Sequence, residues 1–303
     1  MPVQAAVVYL PDVVGRARKL RERIFQAQPP RDAFDDPARR TALPFPSLCR
    51  TPDRFHVSGG GCWDYMGREK FKDLLEMVER SKRKPSDGLW LHGTYGYGKS
   101  HILAALVCYL IAAGERVIYL PDCSNFAAAP FEYVQRAILL AWADDETKTG
   151  EIMRLESMND VSRFLRGTID CLFVFDQVDA LAESEGMDDR VAGKRRSVLE
   201  CLEGWAALNI CIFGASARYY HTRFGAASEH SANPGLYVFG GLTAVSPCSP
   251  RPRARTDPSF GRKCNNGGYR TSSSIWGATT VMHLKISQAP FRCSWTIAWW
   301  MGG

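Results

Sequence analysis

None of the ten cysteines forms a CxxC pair, and no stretch reaches about 18 consecutive apolar residues. The opening MPVQAAVVYLPDVVGRARKL has no basic segment ahead of its short apolar run, which Pro11 and Asp12 interrupt. Each absence removes a class of protein. Cysteines standing singly, as at Cys49, Cys108, Cys171 and Cys211, do not make a disulfide framework or a thiolate metal site. They read as buried free thiols of a chain folded in a reducing compartment. The missing apolar run predicts no membrane span, and the missing signal pattern predicts an intracellular location.

A basic footprint is also missing from most of the chain. The formal charge is +6, but eight of the 38 Lys and Arg residues and only two acids, Glu229 and Asp257, follow Gly225. The excess therefore lies in the last quarter, and the remainder shows no charge pattern of the kind that nucleic-acid binding leaves. That last quarter, residues 226–303, is rich in Ser, Pro, Gly and Arg and shows neither helical nor strand periodicity. It has the composition of a disordered tail, or of a shifted reading frame.

What is present between these limits is organised. Residues 1–60 hold an Arg-rich helical stretch, GRARKLRERIFQAQ, followed by QPPRDAFDDPARRTALPFPS with five prolines. This reads as a poorly ordered N-terminal arm or linker. Residues 61–225 read as one domain. Phe71, Leu74, Leu75 and Val78 recur at helical spacing, and apolar runs without two-residue alternation (LWLH, RVIYL, CLFVF, NICIF) are separated by helical segments. The expected class is α/β, three-layered, with a mostly parallel central sheet covered on both faces.

Between LWLH and HILAALVCYLIAA stands GTYGYGKS, residues 93–100, which fits G-x-x-x-x-G-K-[ST] at Gly93, Gly98, Lys99 and Ser100. Glycines allow backbone N–H groups to turn inward around a phosphate, a lysine reaches the β/γ oxygens, and a serine hydroxyl binds Mg²⁺. The helix beginning near Lys99 adds the positive end of its dipole. The candidate nucleotide contacts are thus Gly93, Thr94, Tyr95, Gly96, Tyr97, Gly98, Lys99, Ser100 and His101. Hydrolysis also requires an acid on a neighbouring strand, and CLFVFDQVDAL places Asp176 at a strand's carboxyl end. Ser100 and Asp176 are the candidate magnesium side. Gln177 occupies the position where a water-activating glutamate often stands, and an amide orients water without accepting its proton. Asp179 is the alternative base. Ser216, ending the strand NICIFGAS, is the candidate γ-phosphate sensor. Arg195 and Arg196 read as a solvated helix face, while Arg218 and Arg223 are conceivable arginines completing the site.

The series DYMGREKFKDLLEMVE, LWLHGTYGYGKSHILAALVCYL, GERVIYLPDC with PFEYVQRAILLA, and LFVFDQVDAL resembles the P-loop NTPase module of the Crinkler and retrotransposon-hot-spot proteins, grouped with the AAA+/STAND-like ATPases. The resemblance spans about residues 62–220. It implies Gly93, Gly98, Lys99 and Ser100 as the phosphate loop and Asp176 as the magnesium-side acid, with an Asp-Gln pair similar to the family's own. Similarity of Gly67-Arg68-Glu69 to a base-packing linker implies ATP rather than GTP. Family members resemble secreted effectors acting in host nuclei, which implies host protein or nucleic acid as partners and a homo-oligomer as a possible state. No pattern of their N-terminal header is read before residue 60, and a patternless tail is read where their C-terminal effector domain is expected. The expectation is an ATP- and Mg²⁺-dependent slow switch. The alternatives are a regulatory or scaffold protein that binds nucleotide without turnover, a small-molecule kinase, and a truncated gene fragment.

Overall fold

The computed structural model describes residues 11–83, 88–168, 171–182, 187–224 and 235–238. In chain order these form α1 (Pro11–Gln26), α2 (Asp32–Asp35), β1 (Arg40–Pro44), β2 (Cys62–Met66), α3 (Lys70–Arg83), β3 (Leu89–Gly93) and α4 (Lys99–Ala112). Next come β4 (Arg116–Leu120), α5 (Cys123–Ala128), α6 (Pro130–Ala141), α7 (Glu146–Met153), α8 (Met158–Arg166) and β5 (Cys171–Phe175). A 3₁₀ turn (Val178–Leu181) then leads to α9 (Asp189–Ala206), β6 (Ile210–Ser216), α10 (Ala217–Phe224) and β7 (Gly235–Val238).

Five strands make one parallel sheet in the order β4-β5-β6-β3-β7, and β1 and β2 form a separate antiparallel pair. After β3 the chain crosses through α4 to β4 and then walks back through β5 and β6. The carboxyl ends of β5, β6 and β3 therefore lie side by side, which is where open α/β sheets hold their ligands.

The buried strands send alternate side chains to opposite faces. Trp90, Ile118, Phe173, Phe175 and Phe213 enter one apolar cluster with α5, α6, α8 and α9. Leu89, Leu91, Val117, Val174 and Ile212 enter another with α3 and α4. On the first face Trp90, Phe213 and Phe175 stack across three strands, with ring centroids 4.7 and 5.2 Å apart. Such pairs add about 0.5–1.5 kcal/mol each beyond their buried area. α4 is apolar nearly all round and buried from Ile102 to Cys108, as a helix enclosed on every side must be.

The structure differs from the expectation of a poorly ordered arm before residue 60. Helix α1 packs on α4 and α6, placing Val13 and Ala17 in one cluster and Ile24 in the other. Its buried Arg21 faces Asp144 at 3.4 Å. Phe34 of α2 stacks on Phe71 at 4.8 Å, and Phe45 and Phe55 pack together beneath the β1–β2 pair. The prolines that suggest a linker punctuate short elements whose apolar residues are nevertheless buried. Gly67 shows how close the approach is, since a Cβ there would lie 2.2 Å from the Asp36 carbonyl oxygen. A second difference lies beyond residue 225, where Gly235–Val238 pairs with β3 as a fifth strand.

If residues 11–60 belong to the folded unit, Phe34→Ala, at 1% exposure, should lower unfolding free energy by about 3–5 kcal/mol in chemical denaturation. The exposed Phe25→Ala should change it by less than about 1 kcal/mol. Equal effects would detach the segment from the core.

Candidate functional site

The octet connects β3 to α4, and its backbone shows why the glycines stand where they do. Gly96 and Gly98 have φ of 83° and 77°, a left-handed region that costs an L-residue about 1–2 kcal/mol. A Cβ on Gly98 would also lie 2.4 Å from the Arg68 guanidinium. Gly93 is constrained from the other side, because a Cβ there would meet the Val238 carbonyl oxygen of β7 at 2.2 Å. Gly98 is the N-cap of α4, so Lys99 and Ser100 open the helix. Lys99 Nζ donates to the Gly93 and Thr94 carbonyl oxygens at 2.9 and 2.8 Å. Burial holds its ammonium below the usual lysine range, opposed by Asp179 and Asp176.

The acid opposite comes from β5. The Asp176 backbone N–H donates to Leu120 at 3.0 Å, and its carbonyl accepts from Cys123 at 3.2 Å, extending the contact between β4 and β5 past their ends. Only 2% of the residue is exposed. Burial pushes its carboxyl above the ordinary aspartate range, against the opposing pull of Arg54, the Ser100 hydroxyl and the Gln177 N–H. Gly214 on β6 makes the space, since a Cβ there would stand 2.9 Å from Asp176 Oδ1. Asp176 Oδ2 accepts from Arg54 Nη2 at 3.0 Å, and the same nitrogen donates to the Pro121 carbonyl.

These groups line one cleft of about 660 Å³, within the size range of small-molecule sites. Tyr95, Gly96, Gly98, Lys99, Ser100, His101, Asp176, Gln177, Asp179 and Ser216 all border it. Gly93, Thr94 and Tyr97 do not. Thr94 Oγ1 instead lies 3.5 Å from the Tyr237 hydroxyl of β7, and Tyr97 packs against the α4-side core. Tyr95 is 92% exposed. β6 lies between β3 and β5, and Ser216 pairs with Gly93 across the sheet. The Ser216 Oγ accepts the Tyr219 N–H at 3.3 Å, so it also caps α10.

Two solved structures resemble part of this chain. One, described as a DNA replication initiation factor, shares 16% identity over 57% of this chain and 47% of its own, with a TM-score of 0.32. The other, AMPPCP-bound DnaA from Aquifex aeolicus, shares 18% identity over 57% and 48%, with a TM-score of 0.34. The alignment thus spans about half the length of each. No protein-family model and no curated protein matches the chain.

Three residues of the cleft carry little local signal in the sequence. Arg54 lies in TPDRF, among turn residues in the supposed linker, and nothing local distinguishes it from a solvated arginine. Arg68 was noticed only through the GRE resemblance. Asp122 ends the strand run RVIYLPD and uses its carboxylate to cap α5 through Ser124 and Asn125 while bordering the cleft. Of the remaining arginines, Arg195 donates to the Ala182 carbonyl at 3.1 Å, Arg218 is exposed on α10, and the side chain of Arg223 lies outside the described residues.

Gln177 is the only non-glycine residue with positive φ among the described residues, at 61°. The left-handed turn separates the strand from the 3₁₀ turn that carries Asp179. Backbone held in this sparsely populated region is a strain the surroundings must maintain.

His101 lies between Phe55, stacked at 4.7 Å, and Trp63, edge-on at 5.3 Å. Burial first, then Arg68, Arg54 and His56, lower its pKa to about 4. The unfolded chain therefore takes up a proton near pH 6.5 that the folded one refuses until about pH 4, so stability falls as pH drops through that window. His101→Gln should flatten this part of the stability profile, and the His101 ring resonances should titrate near pH 4. A midpoint near 6.5 would remove the imidazole from its buried site.

Proposed function

We propose that this cleft binds a nucleoside triphosphate, ATP, and that the chain works as a slow nucleotide-dependent switch of the P-loop type. The observation that carries the reading is one cleft in which Lys99 and Ser100, opening α4 after β3, meet the buried Asp176 carboxylate that follows β5, one strand removed in the sheet. A hydroxyl and one carboxylate are an oxygen donor pair of the kind Mg²⁺ uses when phosphates and water supply its remaining ligands. Ser100 would hold the ion directly and Asp176 would hold its waters. The metal, when bound, supplies charge neutralisation at the β- and γ-phosphates. Lys99, now engaged with loop carbonyls, exchanges those partners for phosphate oxygens, and the free N–H groups at the start of α4 add donors. Ser216, bordering the same cleft, would register the γ-phosphate.

The slow rate follows from Gln177. Its amide can position water but cannot take the proton, and the nearest alternative, Asp179, is already an electrostatic partner of Lys99. The same residue favours a second reading, a regulatory module that binds nucleotide without turnover. Kinship with Crinkler-type modules rests on the order of the motif residues along β3, α4 and β5, and the effector role, host nuclear destination and host partners rest on that kinship alone. Among the described residues no helix is long and apolar enough to cross a membrane.

Calorimetric titration with Mg²⁺–ATP should show binding that Lys99→Ala weakens by at least about tenfold, the loss expected for a charge-assisted contact. Absence of binding by the wild type would end this reading. Phosphate release should be slow and dependent on Lys99, whereas no dependence on Lys99 at saturating ATP favours the non-hydrolysing module. Gln177→Glu should raise turnover by about 100-fold, the low end of general-base contributions. Unchanged turnover in that variant, with abolition by Asp179→Ala, would move the base to Asp179.

A further inference from the structure

The least expected member of the cleft is Arg54, which reaches the site from the segment between β1 and β2. Its guanidinium makes a 3.0 Å ion pair with Asp176, sits 5.5 Å from the Phe55 ring centroid and borders the cleft. Its fork is not fully used, because Nε is buried without a hydrogen-bond partner. Arg68 borders the same cleft against Gly98 and has the same deficit at its own Nε. Two guanidiniums bordering one cleft, each with donor capacity left over, suit an anion.

The pairing with Asp176 is informative in a second way. A carboxylate that is to hold the waters of a magnesium ion cannot at the same time be fully neutralised by an arginine. Entry of a cation beside Ser100 places two positive groups against one acid, and the more mobile group must move. Arg54 is the candidate, since its side chain is 23% exposed against 3% for Asp176 and it is carried by a loop rather than a strand. A terminal phosphate held by Lys99 would be an anion in the same cleft that it could take instead.

We propose that Arg54 is a γ-phosphate-sensing residue supplied by the chain itself, paired with Asp176 before nucleotide binds and transferred to the terminal phosphate afterwards. This inference rests on the nucleotide reading above. Its consequence is that the segment between β1 and β2 reports nucleotide state. Phe55, next to Arg54 and 5.5 Å from its guanidinium, packs on Phe45, Trp63 and His101, so the arginine's move away from Asp176 would be felt first at that aromatic group.

Calorimetry on the full chain with a Mg²⁺-bound non-hydrolysable ATP analogue and with Mg²⁺–ADP separates the outcomes. Arg54→Ala should weaken the triphosphate analogue by about 10–100-fold and ADP by less than about threefold. Arg54→Lys, which keeps the charge facing Asp176, should lose triphosphate preference to a smaller degree, and it carries the test if Arg54→Ala does not fold. Equal losses for both nucleotides would mark the arginine as structural and overturn the proposal, as would no change for either. A gain in affinity for both would make Arg54 a competitor of the cation and overturn it equally. Failure of the wild type to bind either nucleotide brings down the nucleotide reading and this proposal together, whereas wild-type binding with an unselective variant brings down only the role of Arg54.

Discussion

One buried carboxylate organises this molecule. Asp176 sits at the end of the most apolar strand, where ionisation is expensive, and it is tolerable only because Ser100, the Gln177 N–H and Arg54 converge on it. These partners come from different parts of the chain: the start of α4, the turn after β5 and the loop between β1 and β2. The glycine at 214 on the neighbouring strand leaves room for the carboxylate itself. The loop, the sheet and the N-terminal segment are thus fitted around the same charge. A group that must be compensated from three directions is well suited to sense which of its compensators is present.

The sheet serves the same end by a different route. Because the chain passes from β3 to the far edge and returns, the strands that carry the loop, Ser216 and Asp176 are neighbours, although more than a hundred residues separate β3 from β6. The aromatic row formed by Trp90, Phe213 and Phe175 ties those three strands together on one face, and α4 covers the other. Lys99, Ser100 and Ser216 are therefore carried on elements of that platform, while Arg54 and the 3₁₀ turn are carried on loops. Rigid and adjustable parts of the cleft are segregated by origin.

The sheet and loop could be read in advance because their signals are local. CLFVF and LWLHG are apolar without alternation, as doubly covered strands are, and GTYGYGKS combines left-handed glycines with a helix start. The N-terminal segment was misread because its apolar residues are sparse: Val13, Ala17 and Ile24 fall on one helical stripe hidden among arginines, and Phe34, Phe45 and Phe55 are set between prolines. Each is buried only through partners distant in sequence, which no window reveals. β7 escaped for a similar reason, since Gly-Leu-Tyr-Val has too few residues for a period and becomes a strand because β3 offers a free edge. Arg54 could not be identified at all, as its meaning lies in Asp176, 122 residues away.

The close approach of β7 to the glycine-rich octet changes what the first glycine of the motif signifies. Gly93 is hemmed by the Val238 carbonyl, so any side chain at that position would push the fifth strand from the sheet whether or not a nucleotide is ever bound. Gly98 has no such second duty to the sheet, being confined by its own left-handed backbone and by Arg68 inside the cleft. A side chain at Gly93 would act on the edge of the sheet, and one at Gly98 on the turn into α4 and on Arg68. The two glycines of one motif are thus held by different parts of the fold, the earlier by the fifth strand and the later by the cleft.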